Sequence, residues 1–325
     1  MAMAARTAVF PASLAGAVPA LNAAFLKYCV QRTAVLIRMQ IKSINMNSAA
    51  VSVKSAAVQS CNPTHSIAAN QQPLLPPAGR ALPHGLDAAM LPRHVAIYLD
   101  GHGRWRKERG VPTQAAFEAS GKAWKEIVKV SAAWGISAFT TFFFSTENWS
   151  RPQAEVEDIF RAYTNLMHGV CEEFAEHNVQ ARAIGDVSCL PTSLQGALQK
   201  LEHRTKQNDG LKLSIGMNYG GRYDIVQACR RIVAKARSDD KLLLTDINEE
   251  LLDEEMVTGW LAPPMRSPDL IIRPGGNQRL SNFLLWQTSY SELLFLDCLM
   301  PDMDEIVYAE ALLTYCKRTR TFGGR

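Results

Sequence analysis

The stretch DLIIRPGGNQRLSNFLLWQTSYSE, Asp269–Glu292, combines an apolar segment with polar side chains that follow it directly. Three apolar residues lead into Arg273, and the Pro-Gly-Gly that comes next predicts the end of a short strand. Arg279 follows, and Ser281 can cap the short buried helix that Phe283–Trp286 predict. Two arginines and a serine therefore meet at the carboxyl end of a strand, where open α/β sheets bind ligands.

These side chains suit a phosphate-bearing ligand. A planar guanidinium donates two parallel hydrogen bonds to one phosphate group, so Arg273, Arg279 and Ser281 predict a diphosphate clamp. Glu292 lies just beyond the predicted helix and is a candidate magnesium ligand beside the clamp. The alternative is that both arginines are surface charges on a solvated loop.

Strands and helices alternate along the chain from about residue 90 to its end. Apolar runs typical of strands lie at residues 94–99, 138–144, 179–184, 211–217, 270–273 and 293–296. Apolar residues at helical spacing lie between them, at 116–134, 155–177, 194–207 and 223–236. This alternation predicts an α/β fold, in which a parallel six-stranded sheet is flanked by helices on both faces. Residues 90–325 are expected to form one domain, since no linker or repeat divides them.

Charge separates a leader from this body. Residues 1–86 contain no Asp or Glu but seven Lys or Arg, whereas the rest of the chain has 28 basic and 31 acidic residues. An acid-free leader rich in Ala and Ser is typical of an organellar transit peptide. We therefore expect residues 1–85 to be a disordered transit peptide that directs the protein to the chloroplast (plastid stroma). A secretory signal is the alternative, because residues 8–25 are fairly apolar, although Pro11 and Pro19 interrupt them.

The body disfavours several classes of function. Its slightly acidic balance does not predict a nucleic-acid-binding face. The sequence has no uninterrupted run of about 20 apolar residues, so it predicts no transmembrane segment. The cysteines of the body have neither zinc-site nor disulfide spacing, so we expect them to be reduced core thiols.

The first predicted strand also ends in polar residues. Asp100 stands at its carboxyl tip, and the sequence continues with Gly101, His102, Gly103, Arg104 and Trp105. Two glycines let the backbone pass close to a ligand, and backbone amides at the start of the next helix can face a bound anion. A carboxylate among phosphate oxygens is a natural magnesium site. The alternative is an ordinary strand–turn–helix corner.

The second predicted strand ends in FFFSTENWSRP, residues 142–152. Ser145, Asn148 and Arg151 follow three phenylalanines directly, so they are placed to orient a substrate at the mouth of an apolar hollow. The alternative is that Ser145 and Asn148 only cap the helix that starts near Glu155.

Four segments together resemble the cis-prenyltransferase family, the undecaprenyl and dehydrodolichyl diphosphate synthases. They are HVAIYLDGHGRW (94–105), FSTENWSRP (144–152), MNYGGRYDI (217–225) and IRPGGNQRLSNFLLWQTSYSELLF (272–295). The resemblance implies a homodimeric α/β fold with a hydrophobic tunnel between the sheet and two helices. It also implies condensation of isopentenyl diphosphate with an allylic diphosphate, a new Z double bond, and Mg²⁺ as cofactor.

The resemblance assigns roles to single residues. Asp100 corresponds to the magnesium-binding aspartate, and Glu292 to a second magnesium ligand. Catalytic roles are implied for Asp100, Ser145 and Asn148. The implied substrate-binding residues are Gly101, His102, Gly103, Arg104, Trp105, Trp149 and Arg151, with Arg273, Arg279 and Ser281 as the isopentenyl diphosphate clamp.

The chain departs from the family pattern mainly on the allylic side. His102 stands where the family usually has Asn, and Ala116-Phe117 where it has Gly-His. The family also commonly has a basic residue near the position of Thr113. Asn277 also replaces an acidic residue of the clamp, and Thr321 begins a segment where the family has Arg-x-Gly. Two absent charged donors are expected to weaken allylic diphosphate binding about 10²-fold, with His102 restoring one donor.

Three interpretations follow from this pattern. The chain is an active cis-prenyltransferase, or an enzyme that couples two dimethylallyl diphosphates irregularly as lavandulyl-type relatives do, or a non-catalytic subunit of an active partner. The intact Asp100 loop argues against the third, because a non-catalytic subunit is expected to lose it.

The expected product is short, about ten to twenty carbons. Side-chain alternation along the second strand predicts that Phe142 and Phe144 share one face and Phe143 faces the tunnel from the other. A phenyl ring there occupies the volume of several methylenes, so elongation stops when the chain meets it. The alternative is that Phe143 only packs against a helix. Residues 155–177 also run into the next strand without the insertion that lengthens the tunnel in long-chain members.

Overall fold

The computed structural model describes residues 80–238 and 242–321. Its strands are β1 (His94–Tyr98), β2 (Ala138–Ser145), β3 (Gln180–Ile184), β4 (Lys212–Tyr219), β5 (Leu270–Arg273) and β6 (Glu292–Phe295). Its helices are α1 (His102–Arg109), α2 (Thr113–Ala133), α3 (Gln153–Glu176), α4 (Thr192–Thr205), α5 (Gly221–Ser238), α6 (Glu249–Glu255) and α7 (Glu305–Cys316). The leader prediction falls almost entirely on residues 1–79, outside the described residues.

The sheet confirms the predicted fold class. Its strand order is β3-β4-β2-β1-β5-β6, and every neighbouring pair is parallel. All six predicted strands and the four predicted helices are present within a few residues of their expected bounds. Strand β1 is central, with β2 on one side and β5 on the other. The carboxyl ends of these three strands are therefore adjacent, and they carry three of the four motif segments.

The two faces of the sheet pack against different partners. On one face, α2, α3, α4 and α7 bury a large apolar core that includes the fully buried rings of Trp124, Phe174 and Tyr308. On the other face, Tyr98 and Phe142 pack with a smaller group of apolar residues. At about 25 cal/mol for each Å² of apolar surface buried, the larger core supplies most of the hydrophobic stabilisation.

The predicted alternation along β2 is wrong at its carboxyl end. Phe142 pairs with Gly216 and Phe144 with Met217, so Phe143 is an extra residue on β2 and the ladder contains a β-bulge. Phe142 belongs to the smaller core, whereas Phe143 and Phe144 both belong to the helix-covered core. The prediction that Phe142 and Phe144 share a face therefore fails, although Phe143 faces α2 and α3 as expected.

The short helix predicted at Phe283–Trp286 is also absent. The segment forms turns, because Ser281, Asn282 and Leu284 have φ values of 46°, 61° and 45°, in the left-handed region. Phe283 and Leu284 are nevertheless fully buried, as the apolar run predicted. Among the described residues, no helix is long and apolar enough to cross a membrane.

Candidate active site

An ion pair between Asp100 and Arg273 forms the centre of the site. Arg273 is the last residue of β5, and Asp100 lies two residues beyond β1, the neighbouring strand. The Nη2 and Nε atoms of Arg273 lie 2.9 and 3.2 Å from Oδ2 of Asp100. The arginine side chain is 6% exposed and the aspartate 28%, and the guanidinium also lies 4.6 Å above the ring of Tyr98. The pair therefore meets at the boundary between the core and solvent.

Further donors hold the Asp100 carboxylate. The side-chain amide of Asn277 donates to Oδ2 over 2.9 Å, and the Gly101 N–H donates to Oδ1 over 2.8 Å. Burial alone raises the pKa of Asp100, but the hydrogen bonds from Asn277 and Arg273 and the arginine charge outweigh it, so the pKa lies below its usual value. The carboxylate is therefore ionised at neutral pH and fixed in orientation.

Arg273 also organises the clamp. Its Nη1 donates to Oγ of Ser281 over 2.8 Å and to the backbone carbonyl of Arg279. Arg104 from α1 donates to the carbonyl of Gly275 and so joins the loop after β1 to the loop after β5. Gly275 has a φ of 91°, which glycine adopts without strain, and this turn ends the strand as predicted.

The Asp100 loop turns into α1 at Gly101, whose φ of 103° makes it the left-handed N-cap of the helix. Gly103 has open space where a side chain would lie, so packing does not require glycine there. Trp105 instead donates from its indole N–H to Asp302 over 2.7 Å, beneath the guanidinium of Arg109. It does not line the cavity described next, unlike Asp100 and His102.

A cavity of about 150 Å³ opens beside the ion pair, between the carboxyl ends of the central strands and helices α2 and α3. Its lining contains both polar and apolar residues. The polar residues are Asp100, His102, Ser145, Asn148, Arg151, Arg273 and Ser281, and the apolar and aromatic ones are Tyr98, Leu99, Phe117, Phe142, Phe143, Phe144, Ile159 and Tyr163. Larger surface grooves of about 580 and 630 Å³ lie along α7 and α5 and contain none of the predicted site residues.

Aromatic rings form much of the apolar wall of this cavity. Phe143 meets Trp124 of α2 and Tyr163 of α3 edge to face, at centroid distances of 4.8 and 5.0 Å. Phe117 packs edge to face against Tyr163 on one side and stacks on His102 at 4.3 Å on the other. This arrangement is a small, partly open pocket lined by aromatic rings and polar groups, and it is much smaller than the expected tunnel.

His102 is the least satisfied polar side chain of the site. Its Nε2 is buried and has no hydrogen-bond partner among the described residues. Burial lowers the pKa of His102 to about 4; the Asp100 charge opposes this shift and the Arg151 charge adds to it. The imidazole is therefore neutral at physiological pH, and it offers one ring nitrogen to a bound substrate.

The segment after β2 reaches the cavity through a short turn. The N–H of Ser145 donates to Oδ1 of Asn148 over 3.0 Å, and the two residues cap the 3₁₀ turn Thr146–Ser150. They do not cap α3, whose N-cap is Pro152, so the capping alternative is wrong for that helix. Arg151 lines the cavity and pairs with Glu155 at 3.0 Å. Trp149 donates to Asn218 over 2.9 Å, which joins this turn to the end of β4.

Seven predicted site residues do not line the cavity: Gly101, Gly103, Arg104, Trp105, Trp149, Arg279 and Glu292. Arg279 is exposed and contributes its carbonyl to Arg273. Glu292 begins β6 and pairs with Leu270 at the amino end of β5, whereas Asp100 follows the carboxyl end of β1. Because all strands are parallel, Glu292 lies at the opposite edge of the sheet, where Arg318 binds its carboxylate at 2.8 Å. The prediction that Glu292 lies beside the clamp is therefore wrong within one chain, and its role as a magnesium ligand stays a prediction.

The magnesium prediction depends on whether Asp100 alone suits the ion. Magnesium in phosphate-handling sites usually binds one or two carboxylates together with substrate phosphate oxygens and water. Asp100 supplies one partly exposed carboxylate next to the guanidinium of Arg273, and this donor set fits that pattern. No group of three or more His, Cys, Asp or Glu suited to an all-protein metal site occurs within residues 80–238 and 242–321.

Comparison with known proteins identifies the family. The family model described as "Putative undecaprenyl diphosphate synthase" matches residues 98–323. The chain therefore belongs to the cis-prenyltransferase family. It is a prenyltransferase, of the family that condenses isopentenyl diphosphate with an allylic diphosphate.

Individual relatives agree with this assignment. The chain is 41% identical to dehydrodolichyl diphosphate synthase 2 of Arabidopsis thaliana, over 75% of this chain and 78% of that protein. It is 42% identical to the chloroplastic (2Z,6Z)-farnesyl diphosphate synthase CPT6 of Solanum lycopersicum, over 73% and 81%. The crystal structure of lavandulyl diphosphate synthase from Lavandula x intermedia, in complex with dimethylallyl diphosphate, superposes with a TM-score of 0.70 at 37% identity, over 72% and 99%.

Sequence reasoning missed several residues that build this cis-prenyltransferase site. Tyr98 and Tyr163 line the cavity, and Asn282 and Glu147 join its motif segments. The tyrosines lie within predicted apolar elements, where nothing in the pattern separates a cavity wall from ordinary core. Asn282 and Glu147 stand inside quoted motifs, but only the fold reveals that they meet.

Proposed function

We propose that this chain is an active, short-chain cis-prenyltransferase that uses a small allylic diphosphate as primer. The observation that carries the proposal is the cavity of about 150 Å³ that Asp100, Arg273 and Phe143 line. A protein cavity of roughly this volume holds one benzene-sized molecule. It therefore accommodates the hydrocarbon part of a dimethylallyl group as primer and is far smaller than a long polyprenyl chain.

The reaction places clear demands on the site. The C1–O bond of the allylic diphosphate breaks, a bond forms from that C1 to C4 of isopentenyl diphosphate, and a proton leaves C2, which yields a Z-isoprenyl diphosphate and inorganic diphosphate. Negative charge grows on the departing diphosphate, so fixed donors there lower the barrier. Mg²⁺ bound at Asp100 would supply further charge stabilisation for the diphosphate.

The chain's own side chains divide this work. Arg273 and Ser281, held together at 2.8 Å, bind and orient the isopentenyl diphosphate, and Arg279 adds a charge from the rim. The loop from Gly101 to Arg104 and the imidazole of His102 face the allylic diphosphate at the start of α1. Ser145, Asn148 and Arg151 lie between the two sites and orient the reacting groups. Phe117 and Tyr163 help to keep water from the allylic carbon.

A second candidate function is the irregular coupling of two dimethylallyl diphosphates. The observation that favours it is the likeness to lavandulyl diphosphate synthase, at 37% identity and a TM-score of 0.70. The third interpretation, a non-catalytic subunit, is disfavoured because the complete Asp100–Arg273–Ser281 arrangement would have no use in such a subunit.

One assay separates the three functions. Purified full-length protein is incubated with Mg²⁺ and radiolabelled isopentenyl diphosphate, alone or with dimethylallyl, geranyl or farnesyl diphosphate, and also with dimethylallyl diphosphate alone. We expect a short labelled product with the smallest primer. A product from dimethylallyl diphosphate alone would favour irregular coupling, and no product in any arm would favour the non-catalytic subunit.

The remaining assignments concern the setting of the enzyme. We assign residues 1–85 to a plastid transit peptide and 90–325 to the catalytic domain, which we expect to form a homodimer. The chloroplastic names of relatives such as the Solanum lycopersicum CPT6 support the plastid assignment. A fluorescent reporter fused to residues 1–85 is expected to enter plastids, and cytosolic or secretory fluorescence would contradict this. Light scattering of the purified protein tests the dimer.

A further inference from the structure

Asn282 joins three of the four motif segments at one point. Its side-chain Nδ2 donates to Oε1 of Glu147 over 2.7 Å, and its Oδ1 accepts the N–H of Arg222 over 2.9 Å. Its backbone carbonyl accepts the N–H of Gly221 over 2.6 Å. We call Asn282, Glu147, Gly221 and Arg222 the Asn282 junction.

The junction is closely packed. A Cβ atom at Gly220 would lie 2.6 Å from Oγ1 of Thr146 and 2.8 Å from Nδ2 of Asn282. A Cβ at Gly221 would lie 2.9 to 3.1 Å from atoms of Leu285 and Asn282. Real Cβ atoms do not approach other atoms so closely, so the two glycines let the three segments meet at this distance. Asn282 itself has a φ of 61°, which Asn tolerates better than most residues.

Each neighbour of the junction belongs to a different part of the site. Ser281 precedes Asn282 and binds Arg273, which holds Asp100. Asn148 follows Glu147 in the turn after β2 and lines the cavity. The bond from Asn282 to Glu147 therefore fixes the clamp relative to the residues that lie between the two substrates.

We propose that Asn282 is a positioning residue, which acts through Glu147 to hold the isopentenyl and allylic subsites in register. The inference rests on the proposed function. Burial raises the pKa of Glu147, whereas the hydrogen bond from Asn282 and other local hydrogen bonds lower it. The resulting pKa lies below the usual value, which is consistent with an ionised carboxylate as the partner of Asn282. A junction of this kind contacts neither diphosphate, so its loss leaves each subsite intact but shifts one against the other.

The test exchanges donor and acceptor across the junction. Asn282→Asp keeps the acceptor for the Arg222 N–H but sets two carboxylates against each other at the 2.7 Å contact with Glu147. We expect kcat to fall by about 10–100-fold, since a misplacement of about 1 Å can cost that much. Each KM is expected to change less than about threefold, because both diphosphate sites persist.

A second substitution should restore the contact. In the double variant Asn282→Asp with Glu147→Gln, the new amide at 147 donates to the new carboxylate at 282. We expect kcat to recover to within about threefold of the unaltered enzyme. Glu147→Gln alone keeps an acceptor oxygen for Asn282 and is expected to change kcat little.

The chain supplies a matched control at Asn178. This residue also has a positive φ of 54°, donates from Nδ2 to a carboxylate, Asp209, over 2.9 Å, and accepts the Asp209 N–H over 3.1 Å. It precedes β3 at the amino edge of the sheet, away from the site. Asn178→Asp therefore creates the same clash of carboxylates without touching the motif segments, and kcat is expected to stay unchanged.

The outcomes are separable. Three results together support the proposal. The kcat falls in Asn282→Asp, it recovers in the double variant, and it does not change in Asn178→Asp. A lower Tm with unchanged kcat, a loss confined to one KM, or no rescue would overturn it. If the unaltered protein makes no product in any arm, the proposed function fails, and with it the premise of this inference.

Discussion

The two halves of the site differ in how their polar groups are satisfied. On the isopentenyl side, Arg273 binds Asp100, Ser281 and the Arg279 carbonyl, so the buried guanidinium of Arg273 is fully partnered. On the allylic side, the Nε2 of His102 has no partner among the described residues and its ring stacks on Phe117 at 4.3 Å. The isopentenyl half is an assembled electrostatic site, whereas the allylic half combines aromatic rings with a buried ring nitrogen that has no partner among the described residues.

This difference indicates which property each half of the site is expected to control. Charged groups that bind diphosphate must be held in place at all times, because a misplaced guanidinium loses its bidentate bonds. A pocket that selects a hydrocarbon by size needs shape more than charge, and rings at 4.3 to 5.7 Å provide it. We therefore expect substitutions in the first half to affect rate and diphosphate binding, and those in the second half to affect primer choice and product length.

The largest effect is expected at Asp100. Asp100→Ala should reduce kcat by about 10³-fold or more, because the carboxylate is the proposed magnesium ligand. It also leaves the buried guanidinium of Arg273 without its countercharge, and we expect a loss of about 1–3 kcal/mol in the free energy of unfolding. Product assays and urea unfolding measure the two effects. Substantial activity in a folded variant would reject the assignment.

The next effect is expected in the clamp. Arg279→Ala should raise the KM for isopentenyl diphosphate by about 10–100-fold, since a charged hydrogen bond contributes about 1.5–3 kcal/mol. Arg273→Ala should do the same and in addition lower Tm, because Arg273 is buried and paired with Asp100. Steady-state kinetics with each substrate varied in turn decides this. A change confined to the KM of the primer would mean that the two sites are exchanged.

A smaller effect is expected when the allylic half is returned to the family pattern. Phe117→His places an imidazole where the ring of Phe117 stacks on His102, and we expect the KM of the allylic primer to fall by about 3–10-fold. The KM of isopentenyl diphosphate should not change, because the clamp is untouched. If both constants moved together, the proposed division between the two halves would fail.

The smallest effect concerns acid stability. The pKa of Asp100 is depressed in the folded state, so its contribution to stability is fully present above the ordinary value of 3.8 and is lost as pH falls through the lower folded value. The difference in unfolding free energy between the unaltered protein and Asp100→Asn should therefore be constant from pH 5 to 7 and shrink below about pH 3.8. Urea unfolding at a series of pH values measures it. A difference that instead grew on acidification would mean that the pKa is raised.

The strands and the charged half of the site could be predicted from sequence because their signals are local. Six apolar runs predicted the six strands, and the polar residues at or just after the ends of β1, β2 and β5 predicted Asp100, Ser145 and Arg273 as site residues. Parallel pairing then brings those strand ends together without further information.

The errors arose where the outcome depends on a distant part of the chain. The bulge at Phe143 is defined by the register against β4, which the sequence of β2 does not specify. Phe283–Trp286 is apolar enough for a helix, but the segment adopts positive φ values and Asn282 meets Gly221 and Glu147 instead. Glu292 was assigned by its distance from the clamp along the chain, whereas the parallel crossover places it at the other edge of the sheet.

The central claim is that the aromatic end of the cavity limits product length, and the chain length made by Phe143→Ala tests it most directly. Phe143 packs between Trp124 and Tyr163, and its truncation opens the cavity toward the core between α2 and α3. The cost in unfolding free energy is expected to be about 3–5 kcal/mol, so Tm is recorded alongside. Labelled products of both proteins are separated by reversed-phase chromatography after dephosphorylation. The account predicts a short product, about ten to twenty carbons, from the unaltered enzyme and a longer series from Phe143→Ala. An unchanged length distribution from a folded, active variant would contradict it.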